Sequence, residues 1–334
     1  MHPFPPLRAT LLALGVASAM LAAWPVAAPA QSTPATTAQT ARFHPQAGVF
    51  RYRLGGFEIT ALSDGSVPQD LHALLKGTSA SEIDTLLAHA HRANPVEASI
   101  NAYLIDTGSR LMLLDVGAGD FFGPGYGGKL VARLKSVGVE PARISDILLT
   151  HVHTDHSGGL VREGKAQFPN ATVHVGKGDV DFFLASQNQQ GVNGYDKAYF
   201  EQATLSLSPY LAAGRIKTFS GISELAPGVT AVPTPGHTPG HSFFRVESQG
   251  KSVTFIGDIA HVQAVQFPKP EITITYDVDN DAARRQRLTQ FRRLAQEGVA
   301  VAGAHLPFPG IGHVRAEGQG FAFVPVDPLD RDGL

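Results

Sequence analysis

The chain has 334 residues, of which 43% are hydrophobic and 17% charged, and its formal net charge is −2 at pH 7. This composition is typical of a globular protein with one large or two small domains, and the balanced charge excludes a chain-wide surface for nucleic acid. Cysteine is absent, which excludes disulfides, cysteine nucleophiles and thiolate metal sites and leaves His, Asp and Glu as ligands for a transition metal.

The first thirty residues have the pattern of a secretory signal peptide. Arg8 precedes an apolar run from Leu11 to Ala28, and Ala28-Pro29-Ala30 is a small-residue cleavage site. An uncleaved membrane anchor is the alternative, but Pro25 and Pro29 interrupt the end of the run. We therefore expect residues 1–30 to be removed and the mature protein to be periplasmic or secreted, with no stable membrane anchor.

The rest of the chain is predicted to contain one domain. Residues 31–48 are rich in Thr, Ala, Gln and Pro and poor in large apolar side chains, which is typical of a flexible lead-in. No comparable linker follows within residues 49–326, so this range is predicted to be a single domain, and residues 327–334 a tail.

In the first half of this domain, hairpins precede helix–strand units. Glycine and turn residues divide the apolar runs into short segments. Two strands are predicted in residues 50–65, on either side of Gly55-Gly56. A hairpin is predicted over residues 99–117, with its turn at 106–109. Single strands are predicted at 144–150 and 171–176. Helices are predicted around Leu130 and Leu134, where Gly138 ends the helix, and at 179–185.

The second half repeats this order. A strand, a loop rich in glycine and proline, and a hairpin are predicted within residues 224–258, followed by a helix at 281–296 and a strand that ends near His305. Two mixed sheets packed together, with helices outside, fit this order and give an α+β fold.

An arginine-rich stretch lies in the last predicted helix. A nucleic-acid surface is one interpretation of it, but the arginines alternate with an apolar stripe formed by Leu288, Phe291 and Leu294. A solvated helix face is therefore predicted, with no nucleic-acid partner. The arginines are Arg284, Arg285, Arg287, Arg292 and Arg293.

The stretch THVHTDHSGG, residues 150–159, has the spacing of a metal site. His151 and His153 follow a strand two residues apart, so both imidazoles project to the same side of an extended chain. Asp155 and His156 come where the chain must turn, and Gly158-Gly159 lets the backbone pass close to whatever is bound. So short a loop cannot easily bring four ligands to one metal, but it can supply two metals, with the two pairs divided between them.

Further ligands stand at other predicted strand ends. His237 and His241 lie in TPGHTPGH, Asp258 in FIGDIAH and His305 in AGAHLPFP. A carboxylate can bridge two cations, and a metal pair holds a shared hydroxide that attacks at neutral pH. Imidazole and carboxylate ligands without thiolate favour zinc, and also accommodate iron, manganese or cobalt.

These residues resemble the metallo-β-lactamase superfamily, in which H-x-H-x-D-H is followed by a distant His, Asp and His. The segments FEITALSDG, GHTPGH and above all AHLPFPGIGHVRAEGQG are similar to the methyl parathion hydrolase group and its lactonase relatives. The resemblance implies an αββα sandwich with two metals, and Asp155 and Asp258 are the predicted catalytic carboxylates. It places His151, His153 and His237 on one metal, Asp155, His156 and His305 on the other, and Asp258 between them.

The remaining histidines and Asp115 are expected to have roles other than metal binding. His241 is expected to support the site rather than bind metal, and His44, His89, His91 and His174 are expected to be surface residues. Asp115, at a strand end, resembles the superfamily's aspartate that hydrogen-bonds a ligand histidine; a simple turn residue is the alternative.

The substrate pocket is expected to be apolar and aromatic. Phe122, Phe183 and Phe200 align with wall-forming segments of the resembling group, as does Phe182, and core packing is the alternative for each. His261 stands where the dedicated organophosphate hydrolase has an apolar residue. We expect it to narrow the pocket and favour planar lactones over bulky phosphotriesters. No counterpart can be assigned to the tyrosine that acyl-homoserine lactonases place near the scissile bond.

The sequence therefore predicts a hydrolase with two divalent metals that acts on small molecules, lactones and aryl esters, with organophosphate triesters as secondary substrates. A dedicated organophosphate hydrolase, a β-lactamase, and a metal-binding or redox protein without hydrolytic activity are the alternatives. A homodimer is expected by resemblance only.

Overall fold

The computed structural model describes residues 46–192 and 194–329. The predicted signal peptide, residues 1–30, lies outside the described residues, as do residues 31–45 of the lead-in and residues 330–334 of the tail. The strands and helices run from Val49 to Pro325. Within the described ranges, no helix combines the length and apolar character needed to cross a membrane.

The first half of the chain forms a seven-stranded sheet in the order β1-β2-β4-β5-β6-β9-β10. Its first four strands pair antiparallel, and the last three join in parallel. Strands β3, β7 and β8 lie outside it in small pairs. The strands are β1 (Val49–Leu54), β2 (Phe57–Gln69), β3 (Leu75–Lys76), β4 (Val96–Asp106), β5 (Leu111–Leu114), β6 (Asp146–Leu148), β7 (Val161–Arg162), β8 (Lys165–Ala166), β9 (Thr172–Gly176) and β10 (Ile216–Phe219).

The second half forms a second seven-stranded sheet in the order β11-β12-β13-β14-β16-β17-β18, with one parallel pairing between β14 and β16. The short β15 pairs with β3. The strands are β11 (Ser223–Ala226), β12 (Val229–Pro233), β13 (Ser242–Ser248), β14 (Lys251–Phe255), β15 (Thr273–Ile274), β16 (Ala300–Ala302), β17 (Ile311–Glu317) and β18 (Gly320–Pro325).

Eight α-helices lie among the described residues, and Asp or Ser caps the N-termini of four of them. The helices are α1 (Leu71–Leu74), α2 (Ala80–His89), α3 (Leu130–Ser136), α4 (Thr154–Ser157), α5 (Lys177–Phe183), α6 (Lys197–Ala212), α7 (Gln263–Gln266) and α8 (Asn280–Glu297).

The central core lies between the two sheets because alternate residues of each strand point inward. Ile105 and Leu148 of the first sheet belong to the same buried cluster as Phe244 and Phe255 of the second. The opposite faces are covered by helices: Phe200 of α6 packs in the cluster of the first sheet, and α8 packs on the second. This is the αββα sandwich of the metallo-β-lactamase fold, as predicted.

The predicted hairpins and the helices now labelled α3, α5 and α8 are present, with boundaries shifted by a few residues. Helices α2 and α6 were not predicted. In α6, Ser206, Ser208 and Pro209 weaken the local helical signal, so the helix is stabilised by packing Phe200 and Leu207 into the core.

A loop between β5 and α3, residues 117–129, is held to the first sheet by Asp64. The buried carboxylate accepts hydrogen bonds from the backbone N–H groups of Ala118, Gly128 and Leu130, at 2.9 to 3.0 Å. Gly117 has a φ of +74°, and a Cβ there would meet the Asp64 carboxylate at 2.2 Å, so this position requires glycine. Asp64 thus fixes the loop that carries Phe122.

Replacing Asp64 by Ala should lower the free energy of unfolding by about 2–4 kcal/mol, because three backbone N–H groups, two of them in buried hydrogen bonds, lose a charged acceptor. Denaturant unfolding measures this change. Asp106→Ala is the matched control, since that carboxylate accepts one N–H in an exposed turn and its loss should cost about 1 kcal/mol or less. Equal losses for the two variants would contradict the role assigned to Asp64.

Candidate metal centre

The predicted ligands converge at one edge of the sandwich, where strands of both sheets end. His151 and His153 follow β6, His237 follows β12, Asp258 follows β14 and His305 follows β16. Strands β12, β14 and β16 run in the same direction in the second sheet. Their carboxyl ends therefore meet at one edge, which explains how ligands distant in sequence come together.

A first metal group consists of His151, His153, His237 and Asp258, all buried, with ligand atoms within 4.8 Å of one another. His153 Nδ1 lies 3.0 Å from both His151 Nε2 and His237 Nε2. Asp258 Oδ2 is 3.6 Å from His151 Nε2 and 3.4 Å from His237 Nε2.

A second metal group consists of Asp155, His156 and His305. His305 Nε2 lies 3.3 Å from Asp155 Oδ2 and 3.2 Å from Asp258 Oδ2, and His156 Nε2 lies 3.2 Å from Asp258 Oδ1. The Asp258 carboxylate therefore faces both groups. The structure brings together all seven predicted ligands in the predicted division.

The hydrogen bonds fix which nitrogen of each ligand histidine carries its proton. Asp277 accepts from His237 Nδ1 at 2.8 Å, Asp115 accepts from His156 Nδ1 at 2.9 Å, and the Ser99 carbonyl accepts from His305 Nδ1 at 2.7 Å. Because these oxygens can only accept, each Nδ1 is a donor, and in the neutral ring Nε2 keeps a free lone pair.

The remaining two histidines are fixed through a hydroxyl group. Thr150 donates its hydroxyl proton to Asp115, so Thr150 Oγ1 accepts from His151 Nδ1 at 3.1 Å. Tyr195 donates its proton to the Tyr276 carbonyl, so Tyr195 Oη accepts from His153 Nε2 at 3.0 Å. His153 alone among the five ligand histidines therefore directs Nδ1 inward.

The cluster fits a pair of cations. Five imidazole lone pairs and the carboxylates of Asp155 and Asp258 face one another. When the rings are neutral, all of these groups are hydrogen-bond acceptors and none can donate a proton to another. His156 Nε2 and Asp258 Oδ1 are both buried and lie 3.2 Å apart, but neither makes a hydrogen bond. Buried polar atoms are rarely left unpaired, so the donor set is complete only with bound metal.

Electrostatics lead to the same conclusion. Burial lowers the pKa of His151 and His153 well below the usual value. At His237, burial opposes the charged form, but Asp258 and Asp277 raise the pKa to about 9. In the metal-free protein the centre therefore holds protons where a cation would otherwise lie.

Two buried residues hold the ligand loops together. Asp179 accepts from Val152 N, Gly240 N and Thr238 Oγ1, and so joins the loop of the first ligands to the loop that carries His237. His241 does not face the metal groups: its Nε2 accepts from the Asp258 backbone N–H at 3.0 Å, and burial lowers its pKa to about 3. The expectation of a supporting role is confirmed for His241.

Two further expectations concerned Asp115 and the glycine pair Gly158-Gly159, and they have different outcomes. Asp115 hydrogen-bonds His156, as the resemblance implied. The glycine pair Gly158-Gly159 passes close to backbone rather than to a bound group, because Cβ atoms there would meet Ala118 O at 2.3 Å and Val116 O at 1.9 Å.

A cavity of about 540 Å³ opens beside the centre. Phe122 and His261 line it, as predicted. Phe183 and Phe200, predicted to form its wall, are fully buried in the core of the first sheet and do not line it. Phe183 packs behind the cavity against His153, with ring centroids 5.7 Å apart. Phe182 also packs on this core and is not part of the lining.

Four tyrosines near the centre were missed. Tyr195 orients His153, while Tyr126, Tyr199 and Tyr276 line the cavity. Tyr195 and Tyr199 flank the start of α6, which Asp196 caps. The N-cap at Asp196 was the sequence signal from which this helix start could have been predicted. Burial raises the pKa of Tyr276 to about 12, so its hydroxyl keeps its proton and can donate to a bound substrate.

Two interpretations of charged residues are corrected. His174 is buried and paired with Asp146 at 2.9 Å rather than on the surface, whereas His89 and His91 are exposed as expected and His44 lies outside the described residues. Arg287 is fully buried instead of solvated, while Arg292 of the same helix is exposed.

This fold and this centre define a metallo-hydrolase of the dinuclear type. The family model of the metallo-beta-lactamase superfamily matches residues 96–292, and the chain belongs to that superfamily.

Two solved structures match nearly the whole domain. One is described as the hydrolase AbOPH in the beta lactamase superfamily; it is 36% identical with a TM-score of 0.81 over 86% of this chain and 100% of that chain. The other, AidC, a dizinc quorum-quenching lactonase with bound N-hexanoyl-homoserine product, is 27% identical with a TM-score of 0.77 over 85% and 99%.

Curated relatives match a shorter segment. An N-acyl homoserine lactonase of Bacillus sp is 31% identical over 121 residues, which is 36% of this chain and 40% of the relative. An N-acyl homoserine lactonase of Azorhizobium caulinodans is 30% identical over 35% of this chain and 41% of its own. The matched segment thus spans about two fifths of the length of these relatives.

Metal binding to the metal-free protein should release protons at neutral pH, and affinity should fall as pH falls below about 9, because the metal must displace the proton held by His237. Calorimetric titration with Zn²⁺ at about pH 7.5, in two buffers with different ionisation enthalpies, measures the protons released. Identical heats in both buffers would contradict this assignment.

Proposed function

We propose that the protein is a zinc-dependent hydrolase of lactones and aryl esters. The observation that carries this proposal is the neutrality of the cavity beside the metal centre. Apart from the metal ligands themselves, its lining in the described chain has no charged side chain and is mainly apolar or aromatic. The lining outside the ligands consists of Val67, Pro68, Gln69, Phe122, Tyr126, Thr154, Ala198, Tyr199, Gln202, His261 and Tyr276.

The lack of a cationic side chain in this lining separates the candidate substrates. β-Lactams carry a carboxylate and nucleic acids carry phosphates, and both need a cationic partner to offset their desolvation in an apolar cavity. Lactones, aryl esters and phosphotriesters are neutral, so they need only apolar contact and a few hydrogen bonds. The cavity therefore favours neutral substrates with an aromatic or aliphatic group.

When bound, two divalent cations would acidify water and polarise the oxygen under attack. The chain's own residues do the rest. The Asp258 carboxylate faces both metal groups, with Oδ1 near His156 and Oδ2 near both His305 and His237. Asp155, whose side chain is 17% exposed, faces both the second group and the cavity. The protonated hydroxyl of Tyr276 and the imidazole of His261 are placed to hold the substrate on the cavity side.

The relatives support a lactone substrate. The Bacillus and Azorhizobium relatives are described as N-acyl homoserine lactonases, and AidC as a dizinc lactonase with a homoserine product. The purely nitrogen and oxygen donor set of this chain also favours zinc. A phenolate leaves readily, so aryl esters would need no dedicated proton donor.

Organophosphate triesters are the second candidate, as secondary substrates, because they too are neutral and fit an aromatic cavity. His261 decides between the two. Its ring is buried and stacks on His305 with centroids 5.3 Å apart, and its Nε2 lies 3.1 Å from Asp258 Oδ2. An imidazole in this position narrows the cavity beside the metals and offers polar contact to a flat carbonyl substrate.

We further propose that the enzyme is exported to the periplasm or secreted, on the basis of the signal-peptide pattern in residues 1–30. A homodimer remains a proposal from family resemblance.

The zinc-loaded protein should hydrolyse dihydrocoumarin, acyl-homoserine lactones and p-nitrophenyl esters more efficiently than methyl paraoxon, because the cavity with His261 favours planar carbonyl substrates. Steady-state kcat/KM values for this panel and for a penicillin measure the order. Preference for the penicillin, or no turnover of any lactone or ester, would reject the proposal.

Replacing His261 by Leu should shift the ratio of kcat/KM values toward the phosphotriester by about tenfold, which corresponds to about 1.4 kcal/mol of differential transition-state binding. The measurement compares dihydrocoumarin with methyl paraoxon in both proteins. His89→Leu, in an exposed helix position, is the control and should leave the ratio unchanged. An unchanged ratio in H261L would remove His261 as the specificity determinant.

A further inference from the structure

Arg287 is a buried arginine outside the metal ligands and the cavity lining. It lies on α8 with no exposed side-chain surface, on the same helix face as the buried Ala283 and Phe291. Arginine is seldom fully buried, because its charge must be taken out of water, and it then needs nearly all of its five N–H donors satisfied. Its contacts therefore identify what it stabilises.

All contacts of the guanidinium group given by the structure go to one stretch of chain, residues 259–277, which we call the clamp loop. Arg287 donates to the carbonyl groups of Ile259 and Ile272, and to that of Pro270 at 3.1 Å. Its Nη2 also lies 3.9 Å from Asp277 Oδ2. One side chain thus ties together the beginning, middle and end of the loop.

The clamp loop supports two of the three histidines of the first metal group, His237 and His153. It begins directly after Asp258. At its end, the Asp277 carboxylate accepts from His237 Nδ1, and the Tyr276 carbonyl accepts from Tyr195, which in turn orients His153.

The second metal group is held differently. His156 bonds Asp115, which follows β5, and His305 bonds the Ser99 carbonyl of β4. Neither partner belongs to the clamp loop. The two groups therefore share Asp258, but the hydrogen bonds that orient their histidines come from separate supports. The clamp loop contacts the second group through the stacking of His261 on His305, which makes no hydrogen bond.

We propose that Arg287 is a positioning residue that, through the clamp loop, sets the metal affinity of the first group selectively. The planar guanidinium spans three carbonyls and a carboxylate in fixed directions, which a lysine ammonium cannot do. It keeps Asp277 and the Tyr276 carbonyl where the rings of His237 and His153 must point.

Replacing Arg287 by Met, which keeps the apolar stem and removes the guanidinium, tests the proposal. Zn²⁺ affinities are measured on metal-free protein by competition with a chromophoric chelator. We expect one of the two sites to weaken by about 10- to 100-fold and the other to change little. Arg292→Met, on the exposed face of the same helix, is the matched control and should match the wild type at both sites.

Nitrogen-15 spectra of the histidine rings identify which site is affected. In wild type with two Zn²⁺ bound, His153 should carry its proton on Nε2 and the other four ligand rings on Nδ1. At limiting Zn²⁺, R287M should lose the metal-induced shifts of His153 and His237 while keeping those of His156 and His305. Equal weakening of both groups, or unchanged affinity, would overturn the proposal.

Two milder variants keep the test informative if R287M does not fold. Tyr195→Phe removes only the hydroxyl between His153 and the clamp loop, and R287K retains the positive charge without the planar fork. Both variants should lower the Zn²⁺ affinity of the first group selectively. If R287M folds, their effect should be smaller than that of R287M. Wild-type affinity in both variants overturns the proposal. Because metal binding is measured directly, the result is independent of which substrate the enzyme hydrolyses.

Discussion

The metal centre depends on one constraint: each ligand histidine must carry its proton on the nitrogen that faces away from the metals. In His237, His156 and His305, the outward nitrogen donates to a carboxylate or carbonyl oxygen, which can only accept. In His151 and His153, it donates to a hydroxyl oxygen whose own proton is donated elsewhere. Without these acceptors the rings could adopt either tautomer and present protons to one another. These acceptors thus determine which nitrogen keeps its proton, so that a cation displaces protons only from the nitrogens that face inward, which is what pre-organises the site.

Meeting this constraint requires buried carboxylates that are not ligands, and these carboxylates also fix the backbone. Asp115 accepts from the Thr150 N–H and hydroxyl as well as from His156. Asp179 accepts from no ligand histidine and acts on the backbone, because it accepts two backbone N–H groups and a threonine hydroxyl from the two ligand loops. A buried carboxylate is costly unless hydrogen-bonded. The hydrogen bonds that compensate for burying each carboxylate therefore also determine where the ligand loops lie.

The sequence predicted the ligands because most of them stand at the end of a strand, where spacing along the chain determines direction in space, and because Asp155 and His156 follow in the turn that becomes α4. The supports could not be predicted in this way: His237 and Asp277 are 40 residues apart, and Tyr195 and Tyr276 are 81 apart. Arg287 did carry a signal, since it lies four residues from both Ala283 and Phe291 on the buried stripe of α8. Phe183 and Phe200 were misassigned because an aromatic residue suits a core as well as a cavity wall, and only packing distinguishes the two.

The parts that hold the metals are largely distinct from those that shape the substrate cavity. The ligands sit at strand ends of two sheets and in the short helix α4. Phe122 and Tyr126, in contrast, lie on the loop that Asp64 fixes, and Tyr199 lies on α6. Substitutions in that loop or helix can therefore change which neutral molecule fits without moving a ligand. His261 and Tyr276 are different, because both belong to the clamp loop that supports the first metal group. A substitution at either of these two positions therefore affects both the choice of substrate and the geometry of the first metal group.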